Sequence, residues 1–324
     1  MEFAIVTPVK DCVRTIDETV LSVVSQPGAF SIEYHVQDGG SVDGTLGKLD
    51  AWKRRLESES ASFPIGCRAV RFSYDSAPDG GMYAALNKGF ARLSGDVMGW
   101  INGDDRLQPG ALATAMAVLA QFPEVQWLGG RHAYIDPVGS QVAVLDVMPY
   151  ARQLLEAGLY EGRRIVFLQQ EGVFWRRALW QTCGSRVDES LRYAGDFELW
   201  CRFAGVAEYV SVDSVLGVFR VREGQATNDP AAYYAEVDRL FAGARGSIRE
   251  ELWKRFQGAR RSGKAPAGID FSGAVVAYDT FTRRWTLSRR SCFDACTPRH
   301  DVLRRSFRML ARLWLARRNA PEKG

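Results

Sequence analysis

Two adjacent carboxylates, Asp104 and Asp105, follow Gly103 directly after the apolar run Val97-Met98-Gly99-Trp100-Ile101-Asn102. That run reads as a buried strand, and two acids at its carboxyl end repel each other unless something positive neutralises them. A hard divalent cation carrying a diphosphate meets the need, since Mg²⁺ and Mn²⁺ favour one or two carboxylates, waters and phosphate oxygens. The bland alternative is a pair of solvated loop acids ahead of a helix. A further acid, Asp38, opens Asp38-Gly39-Gly40-Ser41-Val42-Asp43-Gly44. Its glycines permit close backbone approach to a ligand, although the same residues are ordinary turn chemistry. Asp196 precedes Phe197, Leu199 and Trp200, where an acid also serves as a helix N-cap.

These acids need a frame, and the apolar patterning predicts one. Strands are expected at 3–7, 33–37, 69–72 and 97–101, alternating with helices over 17–26, from 45 through Leu56, over 81–93 and over 109–122. Pro109 suits a first helical turn. Strand–helix alternation of this kind predicts an α/β fold, a doubly wound sheet flanked by helices. Ligands then gather outside the carboxyl ends of the strands, so the loops at 8–14, 38–44, 74–82 and 102–106 are expected to share one crevice. After 123 short β-like pieces (125–135, 141–147) point to a mixed sheet, followed by a helix over 197–203 and strands at 207–212 and 216–222. The expected division is a ligand-binding domain over 1–227 and a mostly helical C-terminal extension over 228–324.

Six segments in order carry a resemblance: Ile5-Val6-Thr7-Pro8-Val9, Gln37 to Thr45, Asp79-Gly80-Gly81-Met82 to Gly89, Gly95 to Asp105, Gln170 with Phe174-Trp175-Arg176-Arg177, and Gly195-Asp196-Phe197-Glu198-Leu199-Trp200. Together they resemble the family 2 glycosyltransferases, inverting enzymes on the nucleotide-sugar-binding GT-A fold. The resemblance covers about residues 3–227. It implies a metal-dependent glycosyltransferase that moves a hexosyl or N-acetylhexosaminyl group from a nucleoside diphosphate sugar, with a UDP-sugar as the leading choice. The implied acceptor is a hydroxyl of a glycan or lipid-linked glycan, as in polysaccharide or lipopolysaccharide biosynthesis. Asp105, with Asp104 beside it, would hold Mn²⁺ or Mg²⁺. Thr7, Pro8, Val9, Asn102 and Asp104 would line the donor, and Asp38 would accept an N–H from the nucleobase. Asp79 is a candidate for the sugar. Lys88 either meets phosphate or is a plain surface lysine. Asp196 matches the general base that deprotonates the acceptor hydroxyl, with Glu198 pointing elsewhere. Gln170 and Glu171 would lie on the acceptor side, and Trp175 either stacks on a sugar or belongs to the core. One departure is plain: where many relatives carry a metal-binding His, this chain has Arg222, which cannot ligate a cation and is instead a candidate for direct contact with the diphosphate.

The rest of the chain sets bounds. Its composition, 46% apolar and 25% charged, suits a packed globular protein. No uninterrupted apolar stretch of ~18 residues is present, and the start Met1-Glu2-Phe3 lacks a basic export signal. Six cysteines without a CxxC pair suggest free thiols in a reducing, cytoplasmic setting. The net charge of +4 conceals a local balance of +9 over residues 281–324 and −5 elsewhere. Asp301 to Arg318 projects as an amphipathic helix with an arginine face, which suggests peripheral contact with an anionic membrane surface at the inner face of the plasma membrane; docking on the domain is the alternative. No nucleic-acid partner is implied. Gly258-x₄-Gly263-Lys264 mimics a phosphate loop but lacks the hydroxyl and the preceding strand. Two other readings remain: a nucleotidyltransferase, which would need a glycine-rich loop where Pro8 to Arg14 stands, and a non-catalytic nucleotide-sugar-binding relative.

Overall fold

Strand β1 (Glu2–Val9) has no polar face, because both of its sides are covered. Phe3 and Ile5 pack with helix α1 (Ile16–Val24), while Ala4 and Val6 pack on the opposite side with helix α3 (Met82–Phe90). The alternation of strand side chains is therefore intact even where hydrophobicity does not alternate. The structure is a computed structural model, and it describes residues 1–58, 65–222, 225 and 229–293.

Parallel β2 (Ser31–Asp38) and β3 (Ala69–Ser76) continue the sheet on one side of β1, and β4 (Val97–Trp100) lies on the other. Helix α2 (Thr45–Glu57) connects β2 to β3. The register places Val9 opposite Asp38, and Asp38 opposite Ser76. Three strands thus end in line, which brings their loops to one edge as expected. Beyond β4 come β5 (Arg106–Leu107), α4 (Ala111–Gln121), β6 (Trp127–Gly129), β7 (Ala133–Ile135), β8 (Gln141–Val144) and α5 (Arg152–Glu156). They are followed by β9 (Val173–Arg176), α6 (Arg177–Thr182), α7 (Gly195–Val206), β10 (Tyr209–Val212) and β11 (Gly217–Arg220).

Strand β9 runs antiparallel between β4 and β6, so the sheet is mixed. A second small sheet, in the order β5-β11-β7-β8, sits at the carboxyl edge of the first and delivers Arg220 to the acids after β4. The extension supplies α8 (Pro230–Leu240) and α9 (Ala244–Ser262), but also a hairpin that the sequence pattern does not reveal. Its strands β12 (Ser272–Asp279) and β13 (Arg284–Ser291) add to β10 and complete a nine-stranded sheet. The phosphate-loop mimic lies within and just past α9, as a helix end. The proposed interfacial helix at 301–318 falls outside the described residues.

Trp175 belongs to the core. It is fully buried among Trp100, Trp200, Phe90 and Phe203, with ring centroids 5.5–5.9 Å away. Trp100 and Trp200 stack at 5.5 Å, which locks α7 against the centre of the sheet. The sugar-stacking option for Trp175 is therefore corrected: an aromatic at the middle of β9 meets the helical layer and not the crevice.

Candidate active site

The loop after β4 is held from beneath by α1. Thr15 Oγ1 donates to the carbonyl of Gly103 (2.7 Å) and Thr19 Oγ1 to that of Asp105 (2.8 Å). Asp105 is fully buried. One of its oxygens accepts the Arg220 N–H at 2.7 Å, and the other accepts Asn102 Nδ2 at 3.1 Å. The same Asn102 amide lies 3.4 Å from both Gln170 Oε1 and Glu171 Oε1, so three side-chain oxygens gather around one donor. Among the described residues, Asn102 Oδ1 has no hydrogen-bond partner. The Arg220 guanidinium, itself buried, ties the Asp104 carbonyl (2.7 Å) to Glu18 (2.7 Å). Asp104 accepts Arg222 Nε at 2.6 Å and Gln225 Nε2 at 3.3 Å.

Burial pushes the Asp105 carboxyl well above the usual carboxylate range, and the charges of Glu171 and Asp104 add to it. Burial likewise raises Glu171 to about 7, with Asp196 and Asp104 contributing repulsion. Glu171 is thus within electrostatic reach of acids from two other segments, Asp104 and Asp105 on the loop after β4 and Asp196 in the first turn of α7. The sequence reading gave Glu171 only to the acceptor side; the adjacency of Gln170 and Glu171 just ahead of β9 was the available signal.

Asp196 sits in the first turn of α7, half-buried. Its Oδ1 accepts the Phe197 N–H at 2.8 Å and faces the Tyr83 hydroxyl of α3 at 3.4 Å. Burial raises its carboxyl to about 6, partly offset by those hydrogen bonds. An acid poised there is mostly in base form at neutrality and suits proton abstraction. Gly195 makes the approach to α3 possible, since a Cβ there would stand 2.6 Å from the Tyr83 ring. Gly195→Ala is accordingly expected to push α7 off α3, with a loss of about 1–3 kcal/mol and at least about tenfold in turnover. Thermal melting together with a donor-hydrolysis assay checks both. Asn87, also on α3, clasps the chain ahead of α7: its amide donates to Val187 O at 2.9 Å and accepts the Val187 N–H at 2.8 Å.

The remaining candidates are distributed unevenly. Asp38 is fully buried and braces its own turn, accepting N–H groups of Gly40 (3.0 Å) and Ser41 (2.9 Å), the Ser76 hydroxyl (2.6 Å) and the Ser41 hydroxyl. A nucleobase would have to displace one of those donors. Gly40 completes the turn at φ +81°, a conformation glycine adopts at low cost. Asp79 approaches this turn closely, its carboxylate about 3.2 Å from where a Gly39 Cβ would lie. Thr7 is buried and its hydroxyl pairs with Tyr34 Oη at 2.9 Å, which turns it toward the core and away from a ligand. Pro8 and Val9 are buried at the strand end, with Val9 under Gly103. Lys88 is exposed in the last turn of α3, with no ion pair among the described residues. Glu198 turns away from the site to pair with Arg202 at 2.8 Å. Arg222 lies on Asp104 and supplies the positive charge beside the twin acids.

The described residues contain no group of three or more His, Cys, Asp or Glu arranged to hold a metal ion, and no helix long and apolar enough to cross a membrane. The donor set nevertheless fits a hard cation: its groups are oxygens, and the buried carboxyls of Asp105 and Glu171 are raised by burial first, with neighbouring carboxylates adding to it.

Comparison with known proteins agrees with this geometry. The chain is 27% identical over 226 residues to an uncharacterized glycosyltransferase of Mycobacterium tuberculosis, Rv1514c, covering 69% of this chain and 77% of that one. It is 24% identical over 242 residues to an uncharacterized glycosyltransferase of Rickettsia typhi, RT0329, with coverages of 74% and 70%. Among solved structures, S. aureus TarS 1-349 in complex with UDP-GlcNAc superposes with a TM-score of 0.56 at 18% identity, covering 82% of this chain and 76% of that one. The complex of the same protein with UDP gives 0.52 at 16% identity, with coverages of 76% and 73%. At these identities the structures show the fold. The model of "Glycosyl transferase family 2" matches residues 4–167, which rules against the nucleotidyltransferase reading. By that match, which spans half of its length, the chain belongs to glycosyl transferase family 2 and transfers a sugar from a nucleotide-sugar donor to an acceptor.

Proposed function

We propose that this glycosyltransferase is a metal-dependent, inverting enzyme that uses a UDP-sugar and glycosylates a hydroxyl of a glycan or lipid-linked glycan. The observation that carries the reading is Glu171, whose buried carboxyl feels Asp105, Asp104 and Asp196 at once. That convergence supports a donor diphosphate on one side and an acceptor hydroxyl on the other. Asp105 and Asp104 would hold Mn²⁺ or Mg²⁺, which would supply positive charge against the departing diphosphate. Arg222 stands beside Asp104 and adds a fixed positive charge toward the same group. The nucleoside is assigned to the turn built on Asp38, with Asp79 as the candidate for contact with the sugar and Asn102 as a further donor-lining residue. Asp196 takes the proton of the acceptor hydroxyl as that oxygen attacks the anomeric carbon from the face opposite the diphosphate, which inverts the centre. UDP is favoured by the likeness to the TarS complexes with UDP and UDP-GlcNAc. The basic segment over 281–324 supports work at the inner face of the plasma membrane on a lipid-linked acceptor.

A thermal-shift panel of UDP-, GDP- and dTDP-sugars with and without Mn²⁺ tests this reading. UDP-sugars with Mn²⁺ are expected to raise the melting temperature by roughly 3–6 °C at saturating ligand. A larger shift with GDP- or dTDP-sugars, or the same shift in EDTA, would overturn the choice of base or of metal.

A further inference from the structure

The loop that leads into α7 is fastened by a residue far along the chain. Glu236 of α8 accepts three consecutive backbone N–H groups: Arg192 at 2.8 Å, Tyr193 at 2.9 Å and Ala194 at 2.9 Å. Ala194 is the N-cap position of α7, and it offers no side-chain cap. Successive amides closing on one carboxylate form a small anion nest, so a negative side chain from α8 does the fastening that a capping Ser or Asp would otherwise do. The next two residues are Gly195, pressed on the Tyr83 ring, and Asp196. Asp196 is therefore held on both flanks, by α3 through Tyr83 and by α8 through Glu236. Phe197 adds an apolar clamp, packing on Tyr233 and Phe241 of the same α8 region.

We infer that Glu236 is a positioning residue for the acceptor side of the reaction: by gripping the amides of 192–194 it sets where the Asp196 carboxylate stands. The inference rests on the reading of Asp196 as general base. Glu236, like Asp196, lies outside residues 4–167, where the family model matches. The negative charge of Glu236 also opposes ionisation of Asp196, a smaller influence than burial. Placement by this contact governs proton transfer and leaves donor binding alone, because the Asp104–Asp105 loop is held separately by α1 and Arg220.

The test uses the full chain with Mn²⁺ and follows UDP release from UDP-GlcNAc, UDP-glucose and UDP-galactose, with water as acceptor, in Glu236→Gln, Glu236→Ala and Asp196→Asn. Glu236→Gln keeps one acceptor oxygen and is expected to lose about tenfold in kcat, while Glu236→Ala is expected to lose about a hundredfold, each with donor KM within about twofold of the parent. Amide hydrogen exchange of the peptide spanning 190–198 is expected to quicken in the same order, which needs no substrate. Unchanged kcat in both Glu236 variants, or KM rising as kcat falls, overturns the positioning role. Exchange of that peptide unaltered in Glu236→Ala overturns it as well. Full turnover in Asp196→Asn instead overturns the base assignment itself, and the two failures are thereby told apart.

Discussion

Asp196→Asn is expected to lower turnover by about 10²–10⁴-fold while making the folded protein more stable at pH 8. The two effects have one cause. Burial raises the Asp196 carboxyl to about 6 in the folded chain, against an ordinary value near ~3.9 when unfolded. Between those values the folded state binds the extra proton, so stability falls as pH rises through that window and stays lower above it. An amide cannot ionise, and it removes a penalty of about 1–3 kcal/mol at pH 8. Its oxygen still accepts from Phe197 N–H and Tyr83 Oη, so the local geometry survives. In the parent enzyme kcat/KM is expected to fall about tenfold per pH unit below about 6 as the base is protonated. A melting curve at pH 8 and a pH–rate profile check the pair. Lost activity with lost stability would indicate that Asp196 is chiefly a structural cap.

The second large effect is expected at Asp105. Asp105→Asn replaces a buried, charge-crowded carboxyl with a neutral amide that can still accept the Arg220 N–H. Asn102, whose Oδ1 has no partner among the described residues, can turn its amide to accept from the new side chain. The fold is therefore expected to persist, with a melting temperature at pH 8 equal to or above the parent's. Turnover is expected to fall by about 10²–10³-fold or more, since charge on the departing diphosphate is no longer met. Asp104→Asn should behave less cleanly, because it also releases Arg222 and Gln225.

The sequence disclosed the parts of this site that are local. The positions of β1, β2 and β3 follow from a continuous apolar run in β1 and alternating apolar residues in β2 and β3, each ending in turn residues, and the acids that follow the strands were legible one by one. Long-range partners were not. Arg222 and Asp104 lie 118 residues apart, Tyr83 and Asp196 113 apart, and nothing in either neighbourhood announces the pairing. The two-residue strand β5 is too short for a periodic signal. Strand β13 is an exposed edge, with Arg284, Arg289 and Arg290 among its residues, so it lacks the apolar alternation that marks a half-buried strand. Trp175 shows the limit of residue type: the same aromatic suits a sugar face or a core, and only its place between Trp100 and Phe203 decides.

Isothermal titration of UDP into the full chain, in Mn²⁺ and in EDTA, tests the central assignment most directly. The parent and Asp196→Asn should bind UDP in Mn²⁺ with similar affinity, and both should weaken by at least about tenfold in EDTA; Asp105→Asn should bind weakly in either buffer. Equal UDP binding with and without the cation, or Asp105→Asn binding as tightly as the parent, would contradict a cation held at Asp105.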